Sequence, residues 1–84
     1  MYDFYLTLRS VTPAQKGRET LRRAGIPCAL LRAPRAIAPG GCAYALALRS
    51  RDRDRALAAM ERAALRPEGL WLRSGSGSFE RSGL

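Results

Sequence analysis

The chain has 84 residues, a single domain's worth, and at 46% apolar and 7% aromatic it can bury one modest core without covalent staples. Two cysteines are too few for a disulfide scaffold, and the absence of histidine excludes a Cys-His dyad, a Ser-His-Asp triad and any His-bearing metal site within the chain. Fifteen basic residues against seven acidic ones give a net charge of +8, a balance that attracts anions such as nucleic acid, phosphate or an acidic protein.

Residues 3–9 alternate, with Phe4, Leu6 and Leu8 on one face and Asp3, Tyr5, Thr7 and Arg9 on the other, which predicts a half-buried strand. Thr12-Pro13-Ala14-Gln15 predicts a helix start, with Thr12 as N-cap, Pro13 at the first helical position and Gln15 closing a capping box. Ala14, Gly17, Leu21 and Ala24 form a narrow stripe of mostly small residues that lets this helix lie close to a sheet, and Gly25 stops it. Residues 26–32 predict a second strand, and Pro27 assigns it to a sheet edge. Residues 33–41, with two prolines and two glycines, form a long connection of the kind that carries function. Cys42 to Arg49 alternates again as a third strand. From about Asp52 a second helix follows, with Ala56, Leu57, Met60, Ala63 and Ala64 as its apolar face. Leu70 to Arg73 is a last short strand, and the Ser-Gly run from Ser74 has a flexible-linker composition.

The order strand, helix, strand, strand, helix, strand predicts an α+β fold, a ferredoxin-like βαββαβ sandwich. Its four-stranded antiparallel sheet runs in the order 4-1-3-2, with two helices on one face. Residues 1–73 make this single domain and 74–84 a flexible C-terminal tail, unless Phe79 docks. The longest apolar run, Cys42 to Leu48, is seven residues, far short of a membrane span. Asp3 and Arg9 interrupt the first apolar stretch, so no leader is expected and a cytoplasmic chain with reduced thiols is the default.

This topology brings the 33–41 loop, Cys42 and the helix N-terminus at Ser10 to Pro13 to one end of the sheet. A helix N-terminus favours a thiolate. Gly40 and Gly41 add backbone N–H donors and Arg35 a guanidinium. Such a site suits a sulfur anion: a thiolate, a persulfide or a selenium analogue. The competing reading is a buried cysteine that fills space at a strand start. Cys28 begins the second strand at the other end, roughly 13–16 Å away along the strand, beyond disulfide reach of Cys42, and reads as structural. The carboxylates show no spacing for an acid/base pair or a metal, and no cofactor is expected. Gly40-Gly41 is not followed by the Lys-Ser or Lys-Thr of a phosphate loop.

The chain resembles a small bacterial family of selenium/sulfur carrier-like proteins. The matching pieces are Phe4 to Ser10 leading into the first helix, Ala24-Gly25-Ile26-Pro27, the loop signature Pro34-Arg35-x-Ile37 with Gly41-Cys42, and Pro67-Glu68-Gly69-Leu70-Trp71. Members usually have Gly after the cysteine, where this chain has Ala43. The resemblance implies that Cys42 is the functional residue, with Pro34, Arg35 and Gly41 shaping its loop.

The leading functional expectation is a carrier more than an independent catalyst. It takes sulfur or selenium from a donor such as a cysteine desulfurase, holds it on Cys42, and passes it to an acceptor protein. Alternatives are a regulatory small-ligand or dimerisation domain, whose Ala-rich sheet face suits homodimer pairing, and a basic RNA-binding module. The RNA reading lacks a stacking platform, because the third strand exposes Ala43, Ala45 and Ala47 and only Tyr5 offers a ring on the first. Specific nucleic-acid binding and membrane association are therefore not expected. Fourteen Arg and fourteen Ala beside the single Lys16 also match a composition that GC-rich codons produce, and the charge is spread along the chain.

Overall fold

A computed structural model describes residues 1–38 and 43–82. Strand β1 (Phe4–Leu8) leads into helix α1 (Val11–Arg23). Strands β2 (Ala29–Arg32) and β3 (Tyr44–Leu48) follow. A short 3-10 turn (Ser50–Asp52) enters helix α2 (Arg53–Arg62), and strands β4 (Gly69–Arg73) and β5 (Phe79–Arg81) close the chain. All strand pairings are antiparallel, in the order β2-β3-β1-β4-β5.

The fold is therefore α+β with two helices and a five-stranded sheet, not the expected four strands. The fifth strand comes from residues read as a tail. The Ser-Gly run makes a tight turn, in which the Ser74 N–H donates to the Ser78 carbonyl (2.8 Å) and Gly77 takes a positive φ of 92°. Phe79 then packs edge-on against Tyr5, with ring centroids 5.1 Å apart. Phe79 is thus docked, and residues 79–81 are a strand and not a flexible tail.

Both helices end in the same device. At α1 the Ile26 N–H donates to Leu21 and the Gly25 N–H to Arg22, with Gly25 at φ 76°. At α2 the Leu65 N–H donates to Met60 and the Ala64 N–H to Glu61, with Ala64 at φ 58°. These are Schellman closures, each followed by a hydrophobic residue that returns the chain to the core and then by a proline. Ile26 is spent on this closure, which explains why β2 starts at Ala29 and not at Ile26.

The start of α1 differs from the expectation. Ser10, extended at φ −149° and ψ 172°, is the N-cap, and Thr12 is an exposed residue within the first turn. The first N–H groups of a helix have no intrahelical acceptor, so Pro13 loses no bond by standing third.

The core lies between the sheet and both helices. Phe4, Leu6, Leu8, Leu46, Leu48 and Leu70 meet Ala14 and Leu21 of α1 and Ala56, Ala59 and Met60 of α2. Gly17 brings α1 against the sheet: a Cβ there would stand 2.7 Å from Leu46 Cδ1 and 3.3 Å from Met60. Ala24, Ala63 and Ala64, expected on the apolar faces, are exposed because they form the helix ends.

The opposite sheet face was expected to be open and is covered. Tyr5, Ala45 and Ala47 are buried beneath Ile37, flanked by Leu31, Trp71 and Phe79. The small alanine side chains leave the room that Ile37 fills. No helix among the described residues is long and apolar enough to cross a membrane.

Candidate functional site

The loop between β2 and β3 is held at its base by backbone pairing. Arg32 is opposite Tyr44, and beyond them the Ala33 N–H donates to the Ala43 carbonyl (3.0 Å). Tyr44 is also opposite Leu8, the last residue of β1. The loop base and the Arg9-Ser10 passage into α1 therefore share one end of the sheet, as the topology predicted.

From Ala33 the loop makes one helical turn. The Pro34 carbonyl accepts from the Ile37 and Ala38 N–H groups, both at 3.0 Å, and the Arg35 carbonyl from Ala38 at 3.3 Å. Proline, with its fixed φ and no donor, suits the first position of such a turn. Ile37 is 7% exposed and anchors the turn on the sheet face away from the helices. Pro34 is half-buried, while Arg35 is exposed, and among the described residues its guanidinium has no hydrogen bond or ion pair. Gly40, Gly41 and Cys42 lie outside the described residues.

The N-terminus of α1 carries no side-chain cap and no acidic residue in its first turn. The positive end of its dipole is thus left uncompensated by its own side chains. Ser10 and Thr12 are both exposed there. Beside them Arg9 pairs with Glu68, Nη2 to Oε2 at 3.0 Å, next to a cleft of about 360 Å³ lined by Leu8, Pro13, Arg66 and Pro67. The guanidinium of Arg32 lies over the Tyr44 ring, 5.6 Å from its centroid.

Cys28 has a different setting. It is a free, half-buried thiol just before β2, whose first residue, Ala29, pairs with Ala47 at the far end of β3 from Ala43. Burial pushes its pKa up, against the opposing pull of Arg18 and Arg22. Such a thiol is mostly protonated at neutral pH.

The alternation of β1 and β3 predicts an open surface at Tyr5 and the β3 alanines, and the structure differs. Tyr5 is 7% exposed and Ala45 is fully buried, so that face offers no free stacking platform. The missed signal is Ile37, an isolated large hydrophobe in a loop of small residues. Among the described residues no three His, Cys, Asp or Glu side chains gather as a metal site.

A family model described as "Putative Se/S carrier protein-like" matches residues 3–72, and the chain belongs to this family. The match spans β1 through all but the last residue of β4 and includes the whole β2–β3 loop. No curated protein and no solved structure matches the chain.

Proposed function

We propose that the protein is a sulfur or selenium carrier that holds its cargo on Cys42. Membership of the carrier-like family over residues 3–72 carries this reading. Two features of the loop end support it. Ala43, the chain neighbour of Cys42, is fixed by Ala33, and the uncapped α1 N-terminus supplies positive charge at that end, while the exposed Arg35 stands in the same loop as Cys42. The element order βαββαβ, with β5 added at one edge, supports a ferredoxin-like core that displays the loop.

In the transfer step the Cys42 thiolate attacks the outer sulfur of a persulfide on a donor protein. The donor's S–S bond breaks, a new S–S bond forms on Cys42, and the donor cysteine leaves as thiolate. There is no net oxidation. The same exchange onto an acceptor thiolate unloads the carrier. Neither step needs a general base, only an accessible thiolate and a docking surface. A reducing compartment such as the cytoplasm suits this chemistry.

The test is the intact mass of protein purified without reductant. A gain of one sulfur or selenium atom is expected, lost on reduction, absent in Cys42→Ala and retained in Cys28→Ala. An adduct that persists in Cys42→Ala refutes the assignment. Alkylation at limiting reagent should also label Cys42 before Cys28, whose burial disfavours its thiolate. Equal labelling would return Cys42 to a structural role.

A further inference from the structure

The end of the sheet remote from the loop carries a second, unassigned feature. The β1 ladder continues one residue past Phe4: the Asp3 N–H donates to Leu48 (3.1 Å) and the Arg73 N–H to the Asp3 carbonyl (2.7 Å). The registers Phe4↔Leu48 and Phe4↔Leu72 then set Arg49, Asp3 and Arg73 side by side across three neighbouring strands. Two strand spacings, about 9–10 Å, separate the two arginine backbones.

An Arg-Asp-Arg row would ordinarily be a cross-strand ion-pair ladder. Here it is not. Asp3 has both oxygens occupied by Ser50: the Ser50 N–H donates to Oδ1 (2.8 Å) and the Ser50 hydroxyl to Oδ2 (2.9 Å). The guanidinium groups of Arg49, Arg73 and the nearby Arg51 have no ion pair or hydrogen bond among the described residues. All three line one cleft of about 650 Å³, with Ser74 and Gly75 of the β4–β5 turn on its wall. Three guanidinium groups against one already engaged carboxylate leave the cleft positive.

We propose that this cleft binds a phosphate group, free or as the ester of a small molecule. Guanidinium forks match the geometry of phosphate oxygens, and a concave wall excludes part of the competing water. A nucleic-acid footprint would instead be a long stripe of charge, whereas these three arginines gather in one cleft with Tyr2 and the 74–75 turn. The site does not depend on the carrier reading, since β3 runs its full length between Ala43 and Arg49.

The test is a titration of the ¹⁵N-labelled full chain with inorganic phosphate and with methyl phosphate, at constant ionic strength. Saturable shifts are expected at the amides of Ser50, Arg51, Ser74 and Gly75. Arg49→Ala, Arg51→Ala and Arg73→Ala should each weaken binding about tenfold or more, whereas Arg55→Ala, the same charge change on α2, should not. Tighter binding of inorganic phosphate identifies the free ion as ligand, and tighter binding of methyl phosphate an ester. Shifts spread over all arginine-bearing surfaces, equal weakening by Arg55→Ala, or tighter binding of an oligonucleotide than of either phosphate would overturn the proposal.

Discussion

Ala64 holds the left-handed conformation at the end of α2 that Gly25 holds at the end of α1. For a residue with a Cβ this backbone costs about 1–2 kcal/mol, whereas glycine adopts it freely. Ala64 is exposed, so its methyl group contributes little packing in return. Ala64→Gly should therefore stabilise the fold by about 1 kcal/mol, read as a higher denaturant midpoint with an unchanged slope. A lower midpoint would mean that the methyl group or the unfolded chain dominates. Asp3 makes a second prediction at this scale. Burial alone would raise its pKa, but the two hydrogen bonds from Ser50, helped by its own N–H and the nearby N-terminal charge, hold it below the ordinary 3.8. The unfolded chain then binds the proton first as pH falls, so the contribution of Asp3 is complete above pH ~4 and is lost through the native pKa below it. Asp3→Asn should be less stable than the parent at neutral pH, and the gap should narrow in acid. A gap independent of pH would show that the carboxylate charge plays no part.

Among the elements, α1 is the one whose position depends on a single missing side chain. A helix-interior glycine ordinarily costs about 1 kcal/mol relative to alanine. Gly17 is retained where Leu46 and Met60, both essentially fully buried, leave no room for more. Gly17→Val should destabilise by about 1–3 kcal/mol through overpacking, measured by chemical denaturation. A neutral outcome would mean that Leu46 can turn away. This close approach was legible in the sequence as the stripe Ala14, Gly17, Leu21. The alternation of β1 and β3 was equally legible, because a period of two has one structural meaning. The hydrophobic pattern misleads where a residue serves an end and not a face. Thr12 resembled a cap, but Ser10 had already taken the extended conformation. Ile26 resembled a strand start, but it closes a helix. The loop end of the site followed from topology. Its descent onto the second sheet face did not, because the anchoring of Ile37 depends on the small side chains of Ala45 and Ala47 on β3.

For the molecule as a whole, the layering is uneven. One sheet face carries two helices, while the other carries a single loop turn and the edge of a hairpin. The helix side supplies most of the buried volume and should set global stability. The thinner side consists of the 34–38 turn and β5, a three-residue edge strand paired on one side only. Local opening there needs less free energy than global unfolding. Amide hydrogen exchange should therefore be fastest in β5 and the 34–38 turn, and slowest in β1 and β3. Exchange in β5 at the rate of β1 would show that the hairpin unfolds only with the rest.

The sole tryptophan stands on that thinner side. Trp71 is half-buried, with its Nε1 enclosed and lacking an acceptor among the described residues, and the guanidinium of Arg81 lies 5.5 Å from its ring centroid. Arg81 belongs to β5 and is paired directly opposite Trp71. The indole is thus partly sheltered by the last strand, and its emission reports whether that strand is seated. When β5 lifts away, water reaches the ring, the spectrum moves to longer wavelength and a neutral quencher gains access. The protein therefore has an intrinsic fluorophore at the hairpin, so that seating of its final strand can be followed in real time and without a label.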